Sequence, residues 1–283
     1  MTRRDLVGAA LASAAVVGAA SGQTPEPAEP AKKRIKQSFT WGTFARGVEP
    51  EKLVKEAARV GFASIEMGPQ EHWSRIQDAG MTIAIFVGHA SLSDGLNDTK
   101  NHDRIEKELL KSLDLAEQYK IPSLLVLSGN RRGKTDEEGM DNCVACTKRV
   151  IQAAETKKVN LCLELLNSKV NHPDYQCDHS TWGVEVCKRV GSPRMKVLDD
   201  LYHMQIMEGD LIRNLRANIG YIGHFHTAGN PGRRDLDETQ EVYYPAVMRA
   251  IAESGYQGYV GHEFTPKGDS LEAMRKTFDL CNV

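Results

Sequence analysis

The sequence predicts an α/β protein that forms a (β/α)8 barrel, or TIM barrel, as a single domain over residues 36–283. Short apolar runs alternate with longer amphipathic runs, and eight such pairs occupy about 245 residues, the number and length typical of this fold. Glycines separate several amphipathic runs from the next apolar run, as expected where helices end.

The strand candidates are short runs of aliphatic and aromatic residues, the composition that favours strands. In chain order they are KQSFTW (36–41), FASIEM (62–67), MTIAIFVG (81–88), PSLLVLSG (122–129), VNLCLELL (159–166), MKVLDD (195–200), IGYIGHFH (219–226) and YQGYVGHEF (256–264).

The helix candidates lie between these runs, at about 50–60, 70–79, 102–119, 136–157, 181–190, 207–217, 242–254 and 269–281. In the run 102–119, apolar residues recur at steps of three and four, which places them on one helix face. They are Ile105, Leu109, Leu113 and Ala116. The glycines expected to end helices are Gly61, Gly80, Gly191 and Gly255.

A doubly wound open sheet is the structural alternative. Such folds carry a glycine-rich phosphate loop after the first strand and have five or six units rather than eight. The first strand candidate has no such loop, so the barrel is favoured.

The N-terminal residues differ from the rest of the chain. Residues 1–22 combine Arg3 and Arg4 with a stretch rich in alanine and glycine, which is typical of an export signal and resembles a twin-arginine signal apart from Asp5. The stretch is too short and too poor in leucine for a stable membrane anchor. Residues 23–35 form a linker rich in proline and charge, so we expect a periplasmic protein after signal cleavage.

Composition narrows the class of partner. A net charge of −2 gives no electrostatic reason to expect nucleic acid or an anionic membrane surface. The expected partner is a small molecule, and the oligomeric state is left open, a homo-oligomer included. The Cys143–Cys146 pair lies in a helical run without a second cysteine pair, so we interpret it as structural rather than metal-binding.

Polar residues stand at the ends of most strand candidates. In a barrel the carboxyl ends of the strands meet at one mouth, where active sites are built. The residues at these ends are Trp41, Glu66, His89, Glu164, Asp199 or Asp200, His224 or His226, and Glu263. A carboxylate inside an apolar run needs a cation or a hydrogen-bonded partner, so these ends predict a shared cation. Three carboxylates and one imidazole suit Mn²⁺, Mg²⁺ or Co²⁺.

Two histidines compete for the imidazole position. His224 and His226 are two residues apart, so both point to the same face of their strand and alternation cannot separate them. His226 is nearer the predicted mouth and is favoured on position.

Several segments resemble the hydroxypyruvate isomerase family of the xylose isomerase-like TIM barrel superfamily. They are LELLN (163–167), NHPDY (171–175), VLDDLYHMQIMEGDL (197–211), IGHFHTAGNPGR (222–233) and YVGHEF (259–264). The resemblance covers the chain from about residue 38 onward, and its most specific motifs are Asp-x-x-His-Met and His-x-x-x-x-Pro-Gly-Arg.

This resemblance implies one divalent metal ion held by Glu164, Asp200, His226 and Glu263. It also implies that Glu164 and Glu263 are catalytic and transfer a proton between neighbouring carbons through a cis-enediolate. His203 and Arg233 match substrate-contacting positions in the family.

Further residues and substrates follow from strand position and from departures from the family pattern. His89 is a substrate-contact candidate, with a structural histidine as the alternative, and Trp41 is an apolar wall or a core residue. Position 226 is often glutamine in hydroxypyruvate isomerases and histidine in ketose 3-epimerases, whereas Val170 replaces an epimerase glutamate. The predicted activity is therefore a hydroxypyruvate isomerase-like aldose–ketose isomerase. The alternatives are a ketose 3-epimerase, a non-catalytic exported sugar-binding barrel and a metal-dependent nuclease, which would need more ligands and a basic face.

Overall fold

A computed structural model describes residues 35–283. The predicted export signal (1–22) lies outside the described residues, and so does the predicted linker except for Ile35. Among the residues described, no helix is both long and apolar enough to cross a membrane.

The described residues contain a sheet of seven parallel strands in the order β1-β7-β6-β5-β4-β3-β2. The strands are β1 (Lys36–Phe39), β2 (Ile85–Val87), β3 (Ser123–Val126), β4 (Asn160–Glu164), β5 (Met195–Asp200), β6 (Ile222–Thr227) and β7 (Tyr259–His262). Each of these strands lies within or overlaps a predicted one. The pairing of β1 with β7 joins the first and last strands of the chain.

The predicted second strand (62–67) is present only as isolated bridges between β1 and β2. On one side, the Glu66 N–H donates to the Phe39 carbonyl at 2.9 Å. On the other, Ile65 N–H donates to Thr82 at 3.1 Å and Met67 N–H to Ile85 at 3.2 Å. The structure therefore has seven regular strands rather than the eight predicted, and a bridging segment links β1 and β2 in the place of the eighth. This arrangement is that of a TIM barrel rather than of an open sheet.

Eleven α-helices accompany the strands in residues 35–283. They are α1 (Trp41–Phe44), α2 (Pro50–Val60), α3 (Trp73–Asp78), α4 (His102–Gln118), α5 (Asp136–Lys148), α6 (Ile151–Lys157), α7 (Ser180–Val190), α8 (Leu201–Met207), α9 (Leu211–Asn218), α10 (Tyr244–Glu253) and α11 (Ser270–Cys281).

The structure differs from the predicted elements at three places. The helix predicted over 136–157 is two helices, because Val150 leaves helical geometry with φ −120° and ψ −10°. Trp41 does not end the first strand but begins the short helix α1. Helix α8 directly follows β5, before the predicted helix at 207–217.

The core lies between the helices and the sheet. The four apolar residues predicted to form the buried face of α4 are each 0% exposed, which confirms the helical periodicity. All four glycines predicted to end helices have positive φ, from 75° at Gly191 to 110° at Gly61. Glycine adopts this conformation without steric cost, so each turns the chain toward the next strand.

The four neighbouring strands β4 to β7 carry the polar residues of the site at their carboxyl ends. Along β5 and β6 the register shifts, since Val197 pairs with Ile222 but Leu198 pairs with His224. Gly223 is the extra residue, and this bulge sets which residues of β6 reach the mouth. After the bulge, Asp200 pairs with His226.

Candidate metal centre

Four predicted ligands come together at the mouth of the barrel. Glu164 ends β4, Asp200 ends β5, His226 lies in β6, and Glu263 directly follows β7. Each offers one ligand atom, and these atoms all lie within 4.8 Å of one another. The Glu263 N–H still donates to the Thr227 carbonyl at 2.9 Å, so the last ligand is held by the strand ladder.

The imidazole of His226 has a defined orientation within this cluster. Its Nδ1 lies 3.1 Å from Glu263 Oε2 and 3.8 Å from Glu164 Oε1. Its Nε2 faces the other way, 3.9 Å from Glu66 Oε2. The ring is fully buried, and neither nitrogen has a hydrogen-bond partner among the described residues. Nδ1 is therefore the atom available to an ion held by the carboxylates.

Asp200 has two separate structural roles. Its Oδ1 caps helix α8 by accepting from the N–H groups of Tyr202 at 2.9 Å and His203 at 3.2 Å. Its Oδ2 lies toward the site, 3.6 Å from His203 Nε2 and 3.5 Å from an Arg233 nitrogen. The cap at Oδ1 therefore fixes the orientation of Oδ2, the oxygen that faces the site.

Burial and mutual charge shift the pKa values of the cluster. Burial, followed by the Glu263 and Asp200 charges, raises the pKa of Glu164. Burial also opposes ionisation of Glu263, but His226 and Arg233 outweigh it and lower the pKa of that carboxyl. Burial opposes protonation of His226, but the neighbouring Glu263 and Glu66 carboxylates outweigh it and raise the pKa of the imidazole above its usual value. The site without an ion therefore retains protons that a bound cation would displace.

The donor set fits a divalent cation. It consists of three carboxylates and one imidazole whose nitrogens are buried without hydrogen-bond partners among the described residues. Three oxygen donors and one nitrogen donor suit Mn²⁺, Mg²⁺ or Co²⁺. Glu164, Asp200, His226 and Glu263 are the residues that would hold the ion.

Two predicted substrate contacts lie beside the cluster. His203 is fully buried, its Nδ1 accepts from the Asn167 N–H at 3.1 Å, and its Nε2 has no hydrogen-bond partner in the described part of the chain. Arg233 donates to Glu263 Oε2 at 2.7 Å and lies over the Tyr202 ring, 5.7 Å from its centroid. Both side chains can donate hydrogen bonds to a polar molecule that approaches the ion.

The structure does not bring His89 into this group. Its Nε2 accepts from the Leu127 N–H at 3.0 Å and its Nδ1 contacts the Ala90 carbonyl at 3.0 Å, so both nitrogens are used within the fold. This is the structural arrangement that the sequence left as the alternative. Trp41 stacks on His72 with the ring centroids 4.8 Å apart.

Sequence reasoning missed two features around the site. Glu66 and His224 form a second cluster with His226, although Glu66 had been recognised only as a strand end. His172 lies beside His203, with ring centroids 5.2 Å apart, and its buried Nε2 has no partner among the described residues. The signal for His172 was present, since it stands within the NHPDY segment of the family resemblance.

The remaining candidate features lie elsewhere. Cys143 and Cys146 are free and fully buried in α5, in agreement with their structural interpretation. A surface cleft of about 760 Å³ lies between residues 235–245 and 267–280. It is not lined by any of the predicted ligands.

Comparison with known families identifies the fold family of the chain. A profile of the xylose isomerase-like TIM barrel matches residues 54–280. The chain belongs to this family. The seven strands and the bridging segment are thus those of a xylose isomerase-like TIM barrel.

Curated relatives within the family are named as isomerases. A putative hydroxypyruvate isomerase from Danio rerio is 29% identical over 261 residues, which cover 84% of this chain and 93% of the relative. The human protein of that name is 32% identical over 112 residues, so the match spans only 40% of each chain. A 2-oxo-tetronate isomerase from Cupriavidus necator is 36% identical over 122 residues, 43% of this chain and 46% of the relative. These matches confirm the predicted resemblance and support an isomerase.

Solved structures share the xylose isomerase-like fold. A family 2 AP endonuclease from Brucella melitensis superposes with a TM-score of 0.75 at 24% identity, over 85% of this chain and 97% of that one. The IOLI protein, whose structure contains a zinc atom, superposes with a TM-score of 0.69 at 15% identity, over 87% of this chain and 98% of that one. At these identities the likeness concerns the fold alone.

Proposed function

We propose that this xylose isomerase-like barrel is a divalent-metal-dependent isomerase of a small hydroxy-carbonyl substrate, of the hydroxypyruvate isomerase type. The observation that carries the proposal is the convergence of Glu164, Asp200, His226 and Glu263, whose ligand atoms lie within 4.8 Å of one another. A bound Mn²⁺, Mg²⁺ or Co²⁺ ion would act as a Lewis acid and polarise the substrate carbonyl. The names of the relatives support the same reaction class.

The two glutamates are suited to move the proton. Glu164 and Glu263 come from β4 and from the end of β7, so they approach the site from different strands. In the metal-free site their pKa values are shifted in opposite directions, so the two carboxyls lie in electrostatically different surroundings. One glutamate would remove a proton from the carbon next to the carbonyl, and the other would deliver a proton to the former carbonyl carbon of the cis-enediolate. The hydroxyl proton would pass to the former carbonyl oxygen, so the isomerisation involves no net gain or loss of protons.

Arg233 and His203 would orient the substrate. The Arg233 side chain is 27% exposed, so part of the guanidinium faces the mouth while another part donates to Glu263. His203 presents its unpartnered Nε2 beside Asp200. A planar guanidinium can bind a carboxylate through two hydrogen bonds, as a hydroxy-keto acid requires.

A ketose 3-epimerase is the second candidate. The observation that favours it is His226, because the epimerases carry histidine at this ligand position, whereas hydroxypyruvate isomerases often carry glutamine. The two activities differ in product, since the isomerase moves the carbonyl and the epimerase inverts one carbon. A non-catalytic sugar-binding barrel would hold the same ion without proton transfer.

Hydrogen exchange tests the proposal. Protein loaded with Mn²⁺ in D₂O should place deuterium on the carbon next to the carbonyl of hydroxypyruvate or a related hydroxy-keto compound. Glu164→Gln should abolish this exchange, whereas Glu185→Gln, on the outer helix α7, should retain it. Exchange undiminished in Glu164→Gln would contradict the proposed chemistry. Binding without exchange across hydroxy-keto acids and ketoses would support the binding-protein alternative.

We also propose that the protein is exported to the periplasm. The proposal is supported by the paired arginines and the alanine-rich stretch within residues 1–22. The mature protein should lack about the first 20–24 residues, which mass spectrometry of the exported protein would show. An exported protein that begins at Met1 would contradict cleavage.

A further inference from the structure

A second cluster of potential metal ligands lies beneath the first, in the interior of the barrel. It consists of Glu66, from the bridging segment, and of His224 and His226, both from β6. One ligand atom from each residue lies within 4.8 Å of the other two. The three residues are at most 1% exposed, so this cluster is closed to solvent.

The polar atoms of the cluster are not satisfied within the protein. His224 Nε2 lies 2.7 Å from Glu66 Oε2, but neither atom has a hydrogen bond of acceptable geometry among the described residues. Glu66 Oε1 and His226 Nε2 also have no such partner there. A fully buried carboxylate without hydrogen bonds is costly, since burial removes its hydration.

The backbone leaves space for the Glu66 carboxylate. A Cβ atom at position 261 of β7 would lie 2.0 Å from Glu66 Oε1 and 2.9 Å from the His226 ring. Glycine at this position therefore admits the carboxylate between β7 and the two imidazoles. The buried charge occupies a space that any larger side chain at position 261 would fill.

The two clusters share His226 through opposite ring nitrogens. Nδ1 faces Glu164 and Glu263, whereas Nε2 faces Glu66. We propose that Glu66, His224 and the Nε2 atom of His226 bind a second divalent cation, bridged by the His226 imidazole to the ion of the proposed function. Two imidazoles and a carboxylate with both oxygens free form a four-donor set that suits Zn²⁺ or Co²⁺.

The inner ion has a structural role. It neutralises the Glu66 charge and fixes the orientation of His226, whose Nδ1 then faces the outer ion. When both nitrogens of His226 are coordinated, the ring gives up its remaining proton to the solvent. The inner ion is shielded from solvent, so it exchanges more slowly than the outer one. The proposal rests on the outer site only through the shared His226.

Metal stoichiometry tests the inner site. Full-length protein is loaded with Zn²⁺ alone, freed of excess ion by gel filtration, and analysed by inductively coupled plasma mass spectrometry. We expect two equivalents per chain in the wild type, and one each in Glu66→Gln and His224→Gln. His102→Gln is the matched control, because it removes a buried histidine of α4 that contacts the Leu96 carbonyl, and it should retain two equivalents.

The outcomes separate the inner site from the proposed function. One equivalent in the wild type, unchanged in Glu66→Gln and His224→Gln, would overturn the inner site and leave the outer site intact. The absence of any bound ion in the wild type would overturn both. Circular dichroism of each variant checks folding, and EDTA time courses provide a second readout. We expect two phases of zinc release in the wild type, and a single-phase release would count against the inner site.

Discussion

At the scale of single residues, Glu164 connects the chemistry of the site to the stability of the fold. Its pKa is raised to about 8 in the folded protein from an ordinary value of 4.5, first by burial and then by the charges of Glu263 and Asp200. The unfolded chain binds fewer protons than the folded chain between these two values. The Glu164 contribution to stability is therefore complete below about pH 4.5 and is lost as the pH rises through about 8.

The direction in which the raised pKa of Glu164 changes stability with pH gives a prediction for the metal-free protein. The free energy of unfolding of the wild type relative to that of Glu164→Gln, measured by urea denaturation, should fall as the pH rises from 5 to 8. Burial and the charges of Glu208 and Asp200 raise the pKa of Asp199 to about 7, so this carboxyl acts in the same direction. Glu164→Gln should therefore remove a component that falls with pH, and Glu185→Gln should leave the pH dependence as in the wild type. A slope that is unaltered by Glu164→Gln would show that the carboxyl ionises normally.

Arg233 offers a second prediction at this scale. Arg233→Lys keeps the charge but loses the planar fork that contacts Glu263 at 2.7 Å. The loss of a charged hydrogen bond to substrate, worth about 1.5–3 kcal/mol, should raise KM by about tenfold or more. Mn²⁺ affinity, measured by calorimetry, should stay close to that of the wild type, because Arg233 is not a ligand. Equal losses of Mn²⁺ affinity and of substrate affinity would instead assign Arg233 to the support of the ion.

The polar strand ends indicated Glu164, Asp199 or Asp200, His224 or His226, and Glu263 as candidate ligands, and the family resemblance implied the set with Asp200 and His226. The approach of the ligand atoms to within 4.8 Å of one another could not be predicted from the sequence, because it depends on side-chain orientation. The choice between His224 and His226 illustrates the limit. Both lie on one face of β6, and only the structure places His226 against Glu263 and His224 against Glu66.

At the scale of elements, Asp200 at the junction of β5 and α8 is both a proposed metal ligand and the cap of a helix. Asp200→Asn keeps the cap, because asparagine is also a favourable N-cap residue, but it removes the charged ligand. Asp200→Ala removes both. We therefore expect both variants to lose Mn²⁺ affinity. Only Asp200→Ala should lose the additional cap contribution, about 1 kcal/mol relative to Asp200→Asn in denaturation of the metal-free protein. Equal stability of the two variants would show that the cap adds nothing to the helix.

Periodicity and glycine placement predicted the elements well, whereas local irregularities were not predictable. The buried face of α4 and the positive φ of Gly61 follow from the sequence pattern. The bulge at Gly223 does not, because it arises from the close approach of β6 to its neighbour. A Cβ atom there would lie 2.7 Å from Cys162 Sγ and 2.8 Å from Lys196 Cβ. The bridging segment 62–67 was predicted as a full strand because sequence composition does not report how many ladder bonds form.

At the scale of the whole molecule, the proposed ion joins four neighbouring strands and should stabilise the fold. At a concentration about 100-fold above its Kd, a ligand that binds only the folded state contributes about 2.7 kcal/mol. For a domain of this size, each kcal/mol raises Tm by about 2–4 °C, so Mn²⁺ should raise Tm by about 5–11 °C.

Thermal unfolding with and without EDTA measures this shift. Glu185→Gln should show the full increase in Tm, because Glu185 lies on α7, pairs with Arg189 and is not one of the proposed ligands. Glu263→Gln should show a much smaller increase in Tm on addition of Mn²⁺, because it loses a proposed ligand. A similar Tm with Mn²⁺ and with EDTA in the wild type would mean that no ion couples to folding.

The position of the four proposed ligands divides the barrel into two halves that should differ in how much sequence change their loops tolerate. All four come from β4 to the end of β7, whereas β1, β2 and β3 contribute no outer ligand. Loops that follow β2 and β3 can therefore be exchanged or lengthened without displacing the proposed ligands, whereas the chain after β1 carries Glu66 of the second cluster. Directed evolution for a new carbonyl compound should begin in those loops, where an altered shape would change which molecule enters while the two glutamates proposed to transfer the proton stay unaltered.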